Sequence, residues 1–233
     1  MNSFQAAELQ AIAGVGMTHA LNEIAAAFES STGRRIAFRF GTTPELIRLA
    51  TSGDPFDLGI VPRDVLEDAA TRAQFAPGAT LDIARVGIGV AVRRGAARPD
   101  IGTLEALKQA LLAAQSVASI PASATGTQLA DVYERLGITE AMNTRTKAQL
   151  GPSQLVAAVA SGDAELAVFL LNVIAHPRLD VIGPFPAEVQ REVVYTAGVA
   201  ADAREPEAAK AFIAYLRTPP AAAAIKSKGL TPG

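Results

Sequence analysis

The chain has 233 residues, no cysteine and a formal net charge of −2, with 49% hydrophobic and 5% aromatic residues. This length suits either one large domain or two small lobes, and each can bury an adequate core. The absence of cysteine excludes disulfides, thiolate catalysis, zinc–thiolate sites and iron–sulfur clusters, and the near-neutral charge argues against nucleic acid as the main partner.

The first part of the chain alternates between apolar strands and amphipathic helices, which predicts a parallel sheet. Thr43 is predicted to cap the second helix, with Pro44 at its first position. The predicted strands are 9–13, 36–40 and 56–61, and the helices begin at the turns 14–18 and 41–43 and at residue 64, the last of them running to residue 72.

The longest strand-like run is 81–93, after a turn at Pro77 and Gly78, and 193–200 has the same character. The predicted elements between these runs are a helix at 103–114, a strand at 117–120, a helix opened by the turn 121–127 and ended by Gly137, a strand at 146–150, a helix at 153–160, a strand at 165–171 and a loop at 184–190. Two further helices are predicted at 205–217 and 219–228.

We interpret the two long runs as crossover strands that join two lobes. The predicted fold class is α/β, with two doubly wound lobes and a ligand cleft between them. Lobe 1 is predicted to be discontinuous, formed by residues 1–84 and 200–233, and lobe 2 is predicted to span residues 85–199. We expect the protein to be a monomer.

Three turns place hydroxyl groups or glycine where a helix begins. Helix starts offer unpaired backbone N–H groups and partial positive charge, so they bind anions without Arg or Lys. Helix capping explains any one of these turns, but three converging turns favour a site for a small anion. The predicted ligand-binding residues are Gly16, Met17, Thr18, Thr42, Thr43, Ser123, Thr125, Thr127 and Asn172.

Catalysis has one candidate pair, His19 after the first turn and Glu45 at the second helix start. The alternative is that His19 is a partly exposed first-turn residue and that Glu45 complements the helix dipole. We prefer the alternative because no third group is identified that would orient the imidazole. No metal and no cofactor is predicted, and the acidic residues of the first lobe are too scattered for a calcium loop. These residues are Asp54, Asp57, Asp64 and Asp68.

Five segments together resemble a known family over nearly the whole chain. The segments are 25–33, 40–43, 53–58, 87–93 and 208–216 before Pro219. In order and spacing they resemble the type II periplasmic substrate-binding proteins, specifically the molybdate-binding-like branch of ABC-transporter receptors. The resemblance implies two α/β lobes of the periplasmic-binding-protein type that close on a ligand, and delivery of a solute to an ABC permease.

The resemblance also implies which residues hold the ligand. Oxyanion-binding members use a Ser in the first turn and a Tyr late in the second lobe, where this chain has Gly16 with Met17, and Leu170. Thr42 and Thr43 match the hydroxyl groups of the second turn. Two of these three family contacts are missing, which argues against molybdate and tungstate as ligands. Hydroxyl groups and helix amides bind a small organic carboxylate as well as they bind an inorganic oxyanion.

Two classes of function therefore remain. The first is an ABC-transporter-type substrate-binding protein that holds a small anion and closes by a hinge movement. The second is a cytosolic isomerase or tautomerase on the same fold that moves a proton on a small acidic metabolite. A transcription-factor effector domain is a third, weaker choice because no helix-turn-helix precedes Leu9.

The cellular location stays open at this stage. Residues 1–5 show no features of a secretory leader, and the apolar stretches fall short of the roughly 20 residues that a membrane-spanning helix needs. We expect no membrane insertion, with a periplasmic location if a leader has been removed and a cytoplasmic one if Met1 is the native start.

Overall fold

The computed structural model describes residues 8–78 and 80–233, so residues 1–5, where no leader was predicted, lie outside the described part. The described chain divides into two compact units. Unit 1 comprises the chain up to Arg85 together with Val194–Gly233, and unit 2 is Val86–Val193. No helix in the described ranges is both long and apolar enough to cross a bilayer.

The elements alternate along most of the chain. The first are β1 (Leu9–Gly14), α1 (Thr18–Thr32), β2 (Ile36–Gly41), α2 (Thr43–Thr51), β3 (Leu58–Pro62), α3 (Ala69–Arg72) and β4 (Leu81–Arg93). The next are α4 (Leu104–Ala113), β5 (Val117–Ser119), α5 (Ala124–Leu136), α6 (Thr139–Arg145), β6 (Thr146–Ala148), α7 (Pro152–Ser161), β7 (Leu166–Leu170), α8 (Leu171–Ile174) and β8 (Leu179–Pro184). The last are β9 (Glu192–Val199), α9 (Pro206–Tyr215), α10 (Pro219–Ser227) and β10 (Thr231–Pro232).

In unit 1 the strands follow the order β2, β1, β3, β9. β1 is parallel to β2 and to β3, and Gly14 lies opposite Gly41 at the ends of β1 and β2. β9 is antiparallel to β3, and Pro62 lies opposite Tyr195. The carboxyl ends of β1, β2 and β3 therefore meet at one edge of the sheet, next to the beginning of β9.

The buried carboxylate of Asp57 links two distant segments of unit 1 through hydrogen bonds. Asp57 is 4% exposed, and it accepts hydrogen bonds from the backbone N–H groups of Gln10 at 2.8 Å, Arg204 at 2.9 Å and Glu205 at 3.1 Å. Gln10 belongs to β1, and Arg204 and Glu205 directly precede α9. The negative charge satisfies the amides at the start of α9 and complements that helix dipole.

In unit 2, β5 is parallel to β6 and β7, and β4 is antiparallel to β7 and β8. The apolar side chains of β4, α4, α5 and β7 form its core. Side-chain oxygens cap two helices, because Thr103 accepts from the N–H of Ala106 and Ser123 accepts from the N–H of Gly126. Gly137 ends α5 with a left-handed backbone at φ 66°, as expected for glycine after a helix.

The predicted α/β class, with two units joined by two long strands, is confirmed. β4 and β9 both pass from one unit into the other, and β4 has the predicted limits. The parallel sheet predicted for the first part of the chain is confirmed for β1, β2 and β3, whereas the later strands β4, β8 and β9 pair antiparallel.

Several local predictions need correction. Thr42, not Thr43, is the N-cap of α2. The helix predicted over 64–72 is a 3-10 helix at Arg63–Glu67 and a separate α3. The break falls at Asp68, whose carboxylate accepts from the N–H of Thr71 at 2.7 Å and so starts α3. The short elements α6, α8, β8 and β10 were not predicted.

Candidate functional site

The first predicted turn lies at the carboxyl edge of the unit 1 sheet. Val15–Met17 is a 3-10 helix between β1 and α1. Met17 is completely buried, so its side chain is not available for contact with a ligand. The Thr18 hydroxyl donates to the carbonyl of Val15 at 2.8 Å, which leaves its oxygen lone pairs as acceptors.

The close approach of Tyr195 explains the glycine that ends β1. A Cβ atom on Gly14 would lie 2.6 Å from Cε1 of Tyr195 and 3.2 Å from Cδ of Pro62. Tyr195 is itself buried. Gly14 therefore lets the Tyr195 ring sit against the first turn.

The second predicted turn lies at the same edge. Thr42 has an extended backbone, and its side chain makes no capping hydrogen bond. Capping does not account for Thr42, so its hydroxyl is a candidate ligand contact. Thr43 is the first residue of α2, and its hydroxyl donates to Oδ2 of Asp64 at 3.5 Å.

Asp64 is a candidate site residue that the sequence analysis did not select. It is half-buried just after β3, and its Oδ1 is a buried atom with no hydrogen-bond partner in the described structure. Desolvation by burial raises the pKa of Asp64, the negative charge of Glu67 adds to the rise, and hydrogen bonds from the backbone of Val65 and Asp64 and from Thr43 oppose it.

Tyr195 is the second residue that was missed. Burial raises its pKa, and the negative charge of Asp64 raises it further, so its hydroxyl stays protonated at neutral pH. The rule that selected the turns points to the region of Asp64, since this residue follows a strand of the same parallel set. The antiparallel register of Tyr195, however, is not readable from the sequence.

In unit 2, the predicted residues gather at the carboxyl ends of β5 and β7, which are parallel neighbours. Ser123 caps α5 and also donates to the carbonyl of Ile120 at 2.6 Å. Thr125 is buried and Thr127 is exposed, both in the first turns of α5. Asn172 lies in α8, directly after β7, with a half-buried side chain.

The predicted pair of His19 and Glu45 stays a hypothesis. Both side chains are exposed. Glu45 has an ion-pair partner on its own helix, Arg48 at 3.8 Å. These environments are those of the alternative interpretation, in which the two residues serve the solvated starts of α1 and α2.

Other chemistry in the described residues lies apart from these turns. No group of three His, Asp or Glu side chains in residues 8–78 and 80–233 is arranged to hold a metal ion. Unit 1 has a cavity of about 600 Å³ with two arginines, Arg63 and Arg72, but it includes none of the predicted ligand residues. Arg63 is already paired with Asp82, and Glu67 lines the same cavity. These acidic side chains therefore reduce the positive charge that the cavity offers to a free anion.

The two-unit α/β architecture, with hydroxyl-bearing helix starts at the carboxyl ends of parallel strands, is that of type II periplasmic binding proteins. The family model for bacterial extracellular solute-binding proteins matches residues 9–231. The chain belongs to this family, and the resemblance to its molybdate-binding-like branch is confirmed.

Individual relatives support this assignment. The chain is 33% identical to an aconitate isomerase from Pseudomonas sp., covering 96% of this chain and 87% of the relative. It is 25% identical to the molybdate-binding protein ModA of Azotobacter vinelandii, covering 97% and 90%. The solved periplasmic molybdate-binding protein of Azotobacter vinelandii has a TM-score of 0.77 at 21% identity, covering 96% of this chain and 99% of that one.

Proposed function

We propose that this solute-binding protein takes a small organic carboxylate, and that the ligand is held by the helix-start turns 14–18 and 41–43 of unit 1. Within unit 2, we propose the Ser123 turn and Asn172 as ligand-binding residues. The observation that carries this proposal is Asp64, whose carboxyl group stands beside Thr43 with Oδ1 unpartnered.

A carboxyl group at this edge discriminates between ligand classes. An ionised Asp64 repels any anion, and sulfate, the anion of a strong acid, brings no proton to offset that repulsion. A weak organic acid can share a proton with Asp64 in a hydrogen bond between two carboxyl groups, and such charge-assisted bonds are strong. The 33% identical relative is named for a tricarboxylate, which agrees with this choice.

In the receptor role, the loaded protein would present its ligand to an ABC permease on the periplasmic side of the membrane. The family assignment supports this proposed partner and location. A thermal-shift screen of di- and tricarboxylic acids, molybdate and sulfate tests the ligand class, because a ligand that binds only the folded state raises the melting temperature. We expect aconitate to raise it and molybdate to leave it unchanged. A rise in melting temperature with molybdate and none with aconitate would instead identify the protein as an oxyanion receptor.

The Thr42 hydroxyl gives a sharp test of the unit 1 turn. We expect Thr42→Ala to weaken aconitate binding about tenfold, which corresponds to one lost hydrogen bond of about 1.4 kcal/mol. Stability should change little, because the side chain makes no capping bond. Thr51→Ala at the other end of α2 removes a hydroxyl that donates to Ile47, and it should leave affinity unchanged. Isothermal titration calorimetry of both variants measures this, and equal affinities would remove Thr42 from the site.

A second candidate function is isomerisation of an acidic metabolite by proton transfer. The specific observation in its favour is the 33% identity to an aconitate isomerase over 96% of the chain. Receptor and isomerase need the same carboxylate site, and they differ in whether a carbon-bound proton of the bound ligand moves.

A further inference from the structure

We infer that Asp64 is a catalytic base and acid that moves a carbon-bound proton of a bound unsaturated carboxylate. This inference rests on the carboxylate site proposed above and adds a reaction to it. It also transfers the chemical role from His19, the sequence candidate, to a residue on the 3-10 helix after β3.

The first argument is the asymmetric bonding of the Asp64 carboxylate. Oδ2 lies 3.5 Å from the hydroxyl of Thr43, a long hydrogen bond. Oδ1 is buried and has no partner in the described structure. A buried carboxylate oxygen without a donor is unfavourable for stability alone, whereas it suits an atom whose partner arrives with the substrate.

The second argument is the effect of burial on the basicity of this group. Desolvation raises the pKa of Asp64, which makes the carboxylate a stronger base than an exposed aspartate. A base that takes a proton and then returns it works best when its pKa approaches the working pH. His19 is exposed and has no comparable enclosure.

The third argument is the surrounding hydrogen-bond donors. Tyr195 lies on β9 opposite Pro62, and Pro62 precedes Asp64 by two residues. Because burial raises the pKa of Tyr195, its hydroxyl group remains a hydrogen-bond donor. Backbone N–H groups at the starts of α1 and α2 face the same edge. Such donors stabilise the charge that develops on a substrate carboxylate as a neighbouring carbon loses its proton.

The reaction balances without any co-reactant. Oδ1 takes a proton from a CH2 group that lies next to both a carboxylate and a carbon–carbon double bond. The C–H bond breaks, an O–H bond forms, and the electron pair spreads across the double bond into the carboxylate at the far end. Asp64 then returns the proton to the other end of the three-carbon unit, and the double bond has moved.

Proton NMR of aconitate in D2O with the full-length protein tests the inference. We expect interconversion of the cis and trans isomers, or deuterium incorporation at the CH2 carbon, with the wild-type protein. Asp64→Asn should slow both at least 100-fold, within the range of general acid–base catalysis. Its aconitate binding, measured by calorimetry, should persist with an affinity about tenfold lower, because the hydrogen bond between the two carboxyl groups is lost while the helix-start contacts remain.

Asp68→Asn is the matched control, because Asp68 lies four residues further on and serves only as the cap of α3 in these contacts. Its rate should equal that of wild type. A wild-type protein that binds aconitate without either reaction overturns the catalytic role and leaves the carboxylate site standing. A protein that binds no aconitate overturns both, and an Asp64→Asn variant as fast as wild type removes Asp64 alone.

Discussion

Replacing Asp57 by alanine is expected to destabilise the protein by about 3–4 kcal/mol, because three backbone N–H groups lose a charged acceptor in a buried place. The three donors come from β1 and from the start of α9. The substitution therefore loosens the contact between the earliest and latest parts of unit 1. For a chain of this size the melting temperature should fall by about 10 °C.

Asp54→Ala is the control for this experiment. Asp54 lies three residues before Asp57, and its side chain is 63% exposed in an ion pair of 3.5 Å with Arg39. Exposed ion pairs contribute about 0–1 kcal/mol, so Asp54→Ala should be nearly silent. Urea denaturation of both variants compares them directly, and equal stabilities would mean that the Asp57 hydrogen bonds do not hold unit 1 together.

Replacing Gly126 by alanine should have the largest effect in unit 2. The added Cβ would lie 2.1 Å from the carbonyl oxygen of Pro121. This oxygen belongs to the backbone, so it cannot move aside as the end of a flexible side chain can. We expect a destabilisation of about 3 kcal/mol, at the upper end of the range for overpacking. The N–H of Gly126 is also the donor to Ser123, so the turn at the predicted ligand site should shift.

We expect Gly126→Ala to weaken aconitate binding even at a temperature where the variant is fully folded. The loss of affinity would then come from the shifted turn and not from unfolding. Gly151→Ala is the control, because Gly151 precedes α7 in an extended conformation with no atom within 4 Å of the added Cβ. That variant should lose at most about 1 kcal/mol from its N-cap position and keep its affinity. A Gly126→Ala protein with normal stability would contradict the tight turn.

Sequence patterns succeeded where one physical signal dominated. β4 is a long β-type run after a Gly/Pro turn, and its observed limits are the predicted ones, Leu81–Arg93. The terminating Gly137 was placed correctly because its left-handed backbone ends α5 locally, and the helix predicted from Thr103 begins one residue later, with Thr103 as its N-cap. The antiparallel partners of β4 and β9 escaped prediction, since strand direction depends on contacts far apart in sequence.

Local signals failed where elements were short or signals were duplicated. α6 spans Thr139–Arg145 with Met142 as its buried residue, too little for a periodic pattern to register. Thr42 and Thr43 are equally good caps by composition, and Pro44 is tolerated at either of the first two helical positions. Only the backbone decides between them.

The candidate site was partly readable from the sequence for a similar reason. Helix-start turns carry glycine and hydroxyl residues that stand out, so the turns of both units were selected. Asp64 was set aside as one of four scattered acidic residues, because its significance depends on a hydroxyl from α2 and on the register of β9. Site residues that act through tertiary neighbours need the fold before they can be recognised.

A crystal structure of the protein grown with aconitate tests the central claim most directly. We expect carboxylate oxygens within about 3.2 Å of backbone N–H groups at the starts of α1 and α2, and of the Thr42 hydroxyl. Aconitate bound instead in the cavity lined by Arg63 and Arg72, with the helix starts unoccupied, would contradict the account.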